Sequence, residues 1–199
     1  MALKSKNRKK GDPYLTKTVK TERFDLVISN WRETGKITRP WSEDPDVLHS
    51  LMYTRMQFSR LRWALSFRIP NGRNLFYHAI VARDENKVIG LHQIKLNRSG
   101  TAILSIGLTD KAWWGKGAFE EARAGLMDHF SQSPKVMRFY GRALSRNFSS
   151  VYNYKKLGFR LIGHETKVWL SPTTGEHMDC MQFEYLAEDW RAHRQLEKL

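Results

Sequence analysis

Apolar positions along this chain keep two different periods, and the points where the period changes divide it into elements. Phe24-Asp25-Leu26-Val27-Ile28 has strand character, and Pro40 and Pro45 punctuate a loop. From Asp46 a helix is predicted, with Val47, Leu48, Leu51, Met52 and Phe58 recurring at helical spacing. After the turn signal Asn71-Gly72 the period becomes that of strands. These run from Phe76 to Ala82, Lys87 to Leu96 and Thr101 to Leu108, with turns at Glu85-Asn86 and Ser99-Gly100, which predicts an antiparallel meander. Helical spacing returns with Phe119, Ala122, Leu126 and Phe130, on a helix closed by Pro134. Its first turn carries Glu120 and Glu121, where the helix dipole favours anions. A strand from Phe139 to Leu144, a helix from Asn147 to Leu157 ended by Gly158, and strands from Phe159 to Trp169 and Asp179 to Leu186 complete the pattern.

A chain of 199 residues fits one domain, and at that size folding buries roughly 70% of the surface of the unfolded chain. The single Cys180 has no internal partner, and no apolar run approaches the roughly 18 residues that span a bilayer. The expectation is a soluble cytoplasmic protein with no membrane partner. Charge adds a further feature: 34 Lys+Arg against 20 Asp+Glu give +14. Residues 1–20 are basic and lack apolar periodicity, which predicts a flexible arm ahead of a single domain over 21–199. Arg55, Arg60, Arg62, Arg68 and Arg73 make 55–73 a second basic stretch without an acid, and 135–160 is a third. Such fields attract nucleic acid, acidic protein surfaces or phosphorylated small molecules; solubility and a cofactor with several phosphates account for them equally well.

Two segments carry candidate chemistry. Trp113 to Phe119 reads Trp-Trp-Gly-Lys-Gly-Ala-Phe and runs into a predicted helix. Gly115 and Gly117 allow close approach of backbone to a ligand, and the helix start turns unpaired N–H groups on the same spot, which suits a pyrophosphate; a tight strand-to-helix turn would use the same glycines. Further on, Asn147, Ser150 and Tyr154 stand at i, i+3 and i+7 on one helix face, followed by Leu157-Gly158-Phe159. Taken alone, that pattern fits an N-cap, a backbone-bonding serine and a core tyrosine as well as it fits a ligand site.

Together the two segments resemble the GNAT family of acyl-CoA-dependent N-acyltransferases, in particular the branch of ribosomal-protein N-terminal and amino-sugar acetyltransferases. Trp114 to Gly117 reproduce the Trp-Gly-Lys-Gly loop common in that branch, and the similarity extends over roughly residues 21 to 186. The resemblance implies an α/β (α+β) fold with a mixed, mostly antiparallel central sheet flanked by helices and a splayed strand pair holding CoA. It implies acetyl-CoA as acyl donor and no metal. The pyrophosphate would sit on the amides of Trp114, Gly115, Lys116, Gly117, Ala118 and Phe119. Gly107, Leu108 and Thr109 would hydrogen-bond the pantetheine arm, with Asn147 and Ser150 opposite. Tyr154 would protonate the departing thiolate in a direct ternary-complex transfer. Many family members carry a Glu near the start of the strand before the loop, but Ala102 to Ile106 contain no acid. His92 is therefore the first candidate for the base, with His78 a weaker rival, and a structural histidine fits either position. Phe119 replaces the usual Gly or Ala, and its ring is expected to point into the core.

The acceptor is expected to be a macromolecular amine, on a protein or an RNA-associated target, with nucleic acid contacted through the basic arm and 55–73. A small amine such as an amino sugar is the enzymatic alternative. A GNAT fold without catalysis, serving as a nucleic-acid-binding architectural protein, is the alternative from another class. Cys180 is expected to be a packing residue.

Overall fold

The computed structural model describes residues 18–52, 63 and 67–197. Phe58, Leu65, Arg55, Arg60, Arg62 and the arm up to residue 17 lie outside the described residues. Eight strands form one sheet in the order β1-β2-β3-β4-β5-β6-β8-β7. These are β1 (Thr18–Lys20), β2 (Phe24–Ile28), β3 (Leu75–Ala82), β4 (Lys87–Leu96), β5 (Thr101–Leu108), β6 (Arg138–Leu144), β7 (Arg160–Leu170) and β8 (His177–Leu186). Every pairing is antiparallel except β5 with β6. The described helices are α1 (Trp31–Thr38), α2 (Pro45–Ser50), α3 (Ala118–Ser131), α4 (Phe148–Lys156) and α5 (Ala187–Leu196).

The meander β3-β4-β5 and the later strands follow the sequence pattern closely. Three elements were not anticipated. β1 lies within the segment expected to be a free arm: Thr18 to Lys20 pair with β2, so the ordered body starts earlier than residue 21. Helix α1 begins at a capping box, in which the Asn30 side chain accepts from Arg32 N and Glu33 N while Glu33 reaches back to Asn30 N. Helix α5 buries only Ala187 and Trp190 and is tied to α3 through Asp128, which accepts from Trp190 Nε1 at 2.9 Å and from the Arg194 guanidinium.

The sheet separates two cores. Under one face α3 and α5 pack Ala122, Leu126, Met127, Phe130 and Trp190 against Phe24, Ile80, Ile94, Leu104 and Phe139. On the other, Trp41, Val47, Leu48 and Trp63 cover Leu75, Tyr77 and Leu91. The burial of Trp63, whose Nε1 donates to Thr38 Oγ1 at 3.1 Å, supports a packing account of that segment's aromatics, while Arg68 and Arg73 are exposed. Among the described residues no helix is long and apolar enough to cross a membrane.

Candidate active site

β5 and β6 pair only at Thr101–Arg138, Ala102–Phe139 and Ile103–Tyr140. Beyond that point β5 stays with β4 and β6 with β8, so the two strands diverge and open the sheet. Two clefts meet at this opening. The first, of about 350 Å³, runs over Gly107 and Leu108 to Trp114, Gly115, Gly117, Ala118 and Phe119, with Asn147, Ser150 and Lys156 on its other wall. The second, of about 310 Å³, runs past Trp41, Phe67 and Tyr77 to Arg123, Ser150 and Tyr154. Leu51, Ile106, Gly107 and Ser150 line both, so a group passed from one cleft to the other crosses there.

Loop geometry in the first cleft suits a pyrophosphate. Gly115 (φ 73°) and Gly117 (φ 75°) are both left-handed, a region open to glycine at little cost. Gly117 is the N-cap of α3 and no side chain caps that end, leaving first-turn amides for a ligand. The loop is braced from behind. Glu121 accepts from Thr21 Oγ1 (2.6 Å), Arg23 N (2.7 Å) and Arg23 Nε (2.6 Å), and Arg23 Nη1 reaches Lys116 O at 3.0 Å. Burial alone would raise the Glu121 pKa, but these donors outweigh it and hold the carboxyl below its ordinary value. On the far wall Lys156 brings its ammonium to Glu120 at 3.2 Å.

Most of the residues expected to bind cofactor line this cleft; Thr109 and Lys116 do not. Thr109 N–H donates to Ile89 O at 2.8 Å, so the amide expected to meet pantetheine is engaged with β4. The Lys116 ammonium lies 5.9 Å from the Trp113 ring. Phe119 packs partly on the core and also lines the cleft. Asn147 is the N-cap of α4, its Oδ1 accepting from Ser150 N at 3.1 Å, and it lines the cleft as well.

Tyr154 lines the second cleft and is nearly buried, its ring stacked on Phe183 (centroids 4.7 Å, 9° between planes). Its hydroxyl lies against Gly141 of β6, where any Cβ would overlap it. His92 is not brought to either cleft. Its strand neighbours Leu91 and Gln93 line the second, whereas His92 is fully buried on the opposite side of the strand, so the geometry does not suit it as base. Burial, then the Arg123 charge, then His78 drive the His92 pKa well down, against a smaller upward pull from the Gln93 backbone. His78, its cross-strand neighbour, is pushed down to about 3 by burial and by the charge of His129. Cys180 is buried in β8, and burial raises its thiol pKa, in keeping with a packing role.

Two further residues of the second cleft stand out, and one of them, Arg123, has no counterpart among the sequence candidates. Arg123, on the buried face of α3, is 3% exposed, its guanidinium 4.1 Å from the Tyr154 ring centroid. Trp41 lies with its ring against Gly107, 2.7–3.3 Å from where a Cβ would stand. Trp41 falls in the segment between the first strand and the central sheet, where the family resemblance places acceptor selection, whereas an arginine in a helix stripe reads as a surface residue and Arg123 gave no signal.

The acetyltransferase (GNAT) domain profile matches residues 17–160. The chain belongs to the GNAT acetyltransferase family. It is an acetyl-CoA-dependent N-acetyltransferase, which sets aside the architectural alternative. No curated protein sequence matches it. Among solved structures it is similar to a ribosomal L7/L12 alpha-N-protein acetyltransferase in complex with coenzyme A, at 14% identity and a TM-score of 0.71, covering 85% of this chain and 97% of that one. The ribosomal-protein-S5-alanine acetyltransferase from Vibrio fischeri is 17% identical with a TM-score of 0.68, over 87% and 98%. Spermidine N-acetyltransferase from Vibrio cholerae, solved with CoA and spermine, is 14% identical with a TM-score of 0.68, over 83% and 97%. At these identities the likeness is one of fold. Nothing in these comparisons supports the expected nucleic-acid partner.

Proposed function

We propose that this GNAT enzyme acetylates the α-amine of a protein or peptide, with acetyl-CoA in the Gly107–Lys156 cleft and the acceptor entering past Trp41. The observation carrying this reading is the meeting of the two clefts at Ile106, Gly107 and Ser150, where strand divergence leaves room for a thioester between them. The amine nitrogen attacks the thioester carbonyl carbon, the tetrahedral adduct expels the CoA sulfur, and Tyr154 supplies the proton that the thiolate takes up. Asn147 uses its Oδ1 in the helix cap and offers its amide N–H groups to the pantetheine.

The choice of an α-amine follows from the missing base. Among the described residues lining the acceptor cleft there is no aspartate, glutamate or histidine. An amine reacting there must arrive neutral and release its second proton to solvent. With a pKa of about 7.7–8.0, an α-amine is about one-third neutral at pH 7.5, whereas a lysine-type amine near 10.4 is about 0.1% neutral. The relatives named for ribosomal-protein amino termini support the same choice, and a cleft without carboxylates is poorly suited to a polyamine. The test is acetyl transfer to amino-terminal peptides, to the same peptides blocked at the terminus but carrying lysine, and to spermidine. Transfer confined to free α-amines is expected; faster transfer to spermidine or lysine would reject the proposal.

A further inference from the structure

The acceptor cleft contains buried hydrogen-bond donors with nothing to donate to. Arg123 Nε and Nη1 and Trp41 Nε1 are all buried and unpartnered, and both residues line this cleft. They are 3% and 4% exposed. Arg123 is permanently charged, and a buried cation without a counter-charge is strongly destabilising unless something pairs with it. Among the described residues lining the cleft none is acidic. His92 faces Arg123 from β4 and is held neutral, no carboxylate lines the cleft, and Arg142 at its edge is already paired with Glu165 at 2.5 Å. The CoA phosphates belong to the other cleft, which Arg123 does not line.

From these donors we infer that the acceptor carries a carboxylate close to its reacting amine, seated against Arg123 and within reach of the Trp41 indole N–H. The inference rests on the reading of this cleft as the acceptor site and names what that site selects. Beside the donors the walls are apolar and aromatic, from Phe67, Tyr77 and Leu91, so an acidic group next to an apolar side chain matches the lining. Two sources share this chemistry: an amino-terminal peptide segment with an acidic residue in its first positions, and a free apolar amino acid with its own α-carboxylate.

The experiment compares matched pairs with the full-length protein. The tripeptide amide Ala-Asp-Phe is set against Ala-Asn-Phe, and phenylalanine against phenylalaninamide, with kcat/KM from acetyl-CoA consumption and binding by calorimetry with and without CoA. The acidic member of one pair is expected to be favoured by about tenfold or more, in line with a charge-assisted hydrogen bond, and which pair shows it identifies the source. Arg123→Met should abolish that preference and Arg123→Lys should keep part of it, while acetyl-CoA affinity stays at the wild-type value in both. Equal binding of acid and amide in both pairs, or a preference that survives Arg123→Met, overturns the inference, and calorimetry without CoA decides this even in the absence of turnover. Failure of the wild-type protein to bind acetyl-CoA would instead strike at the catalytic reading itself.

Discussion

Gly141 and Tyr154 are fitted to each other: the tyrosine hydroxyl occupies the space where a side chain at Gly141 would begin, so the glycine fixes how far the ring reaches into the strand opening. With Phe183 stacked on the ring and the Arg123 guanidinium 4.1 Å from its centroid, the phenol has no lateral freedom. Gly141→Ala should therefore displace the hydroxyl by the width of a methyl group. Misplacement of about 1 Å costs on the order of a hundredfold in rate, and overpacking costs about 1–3 kcal/mol in stability. Tyr154→Phe, which keeps the packing, should lose a similar factor in kcat with wild-type stability. Steady-state kinetics and thermal melts separate the two effects; a Tyr154→Phe enzyme with full kcat would remove the phenol from the chemistry.

Asn147 serves as helix cap and cleft wall at once, and two substitutions pull these apart. Asn147→Ala should cost about 1 kcal/mol of stability through the lost cap and weaken acetyl-CoA. Asn147→Asp keeps an oxygen for Ser150 N–H but offers no donor to pantetheine. It should melt like the wild type and still bind acetyl-CoA more weakly by calorimetry. Wild-type affinity in the aspartate variant would leave Asn147 as a cap alone.

The parts of the molecule that were legible in the sequence are those where one local rule decides. Alternation set the meander, and the Gly115/Gly117 loop with its helix was visible because backbone conformation there depends on residue type. Helix α1 was missed because its buried positions are Thr34 and Thr38, polar residues that leave no apolar period. Helix α5 was missed because Asp128 and the dipole-suited Glu188 and Asp189 stabilise it more visibly than apolar burial does. The acceptor cleft was least legible. Arg123 stands in the same buried stripe as Ala122, Leu126 and Phe130, and only the folded neighbours of that position, a tyrosine face and a neutral histidine, distinguish it from a surface arginine. His92 illustrates the converse: a residue type suited to catalysis, turned by strand alternation away from the cleft.

In the pyrophosphate seat, backbone conformation rather than side-chain charge should dominate. A Cβ on Gly115 would meet nothing within 4 Å, so Gly115→Ala tests the left-handed backbone alone, a strain of about 1–2 kcal/mol. Relaxation of that strain would turn the loop amides, and acetyl-CoA affinity should fall by roughly tenfold, as about 1.4 kcal/mol implies. Lys116→Ala should cost less, since its ammonium lies over Trp113 and outside the cleft. Calorimetric titration of both variants in the same salt gives the comparison. A larger loss in Lys116→Ala would assign the anchoring to charge.

The neutral histidines beneath the sheet predict acid sensitivity well above the carboxylate range. His78 faces the charge of His129 and the Phe130 ring from α3, and His92 faces Arg123 from α3 and His78 from β3. Both pKa values are depressed in the folded state, His78 to about 3, from the ordinary histidine value of about 6.5. Between those values the unfolded chain binds the protons and the folded chain does not, so stability is full above pH 6.5 and falls with decreasing pH. His78 contributes a slope of up to about 1.4 kcal/mol per pH unit in that window, and His92, depressed chiefly by burial, acts in the same direction. The depressed carboxylates Glu121 and Glu184 act in the same direction only below about pH 4.5, so the interval from 6.5 to 5 isolates the histidines. Denaturant unfolding across that interval should show the decline, and His92→Leu should make it shallower while leaving the pH 7.5 fold intact. A wild-type stability that stays level from pH 6.5 to 5 would mean that the folded protein takes up the same protons as the unfolded chain, which requires a counter-charge or solvent path beside His78 and His92 and would equally undercut the description of Arg123 as a cation without a counter-charge.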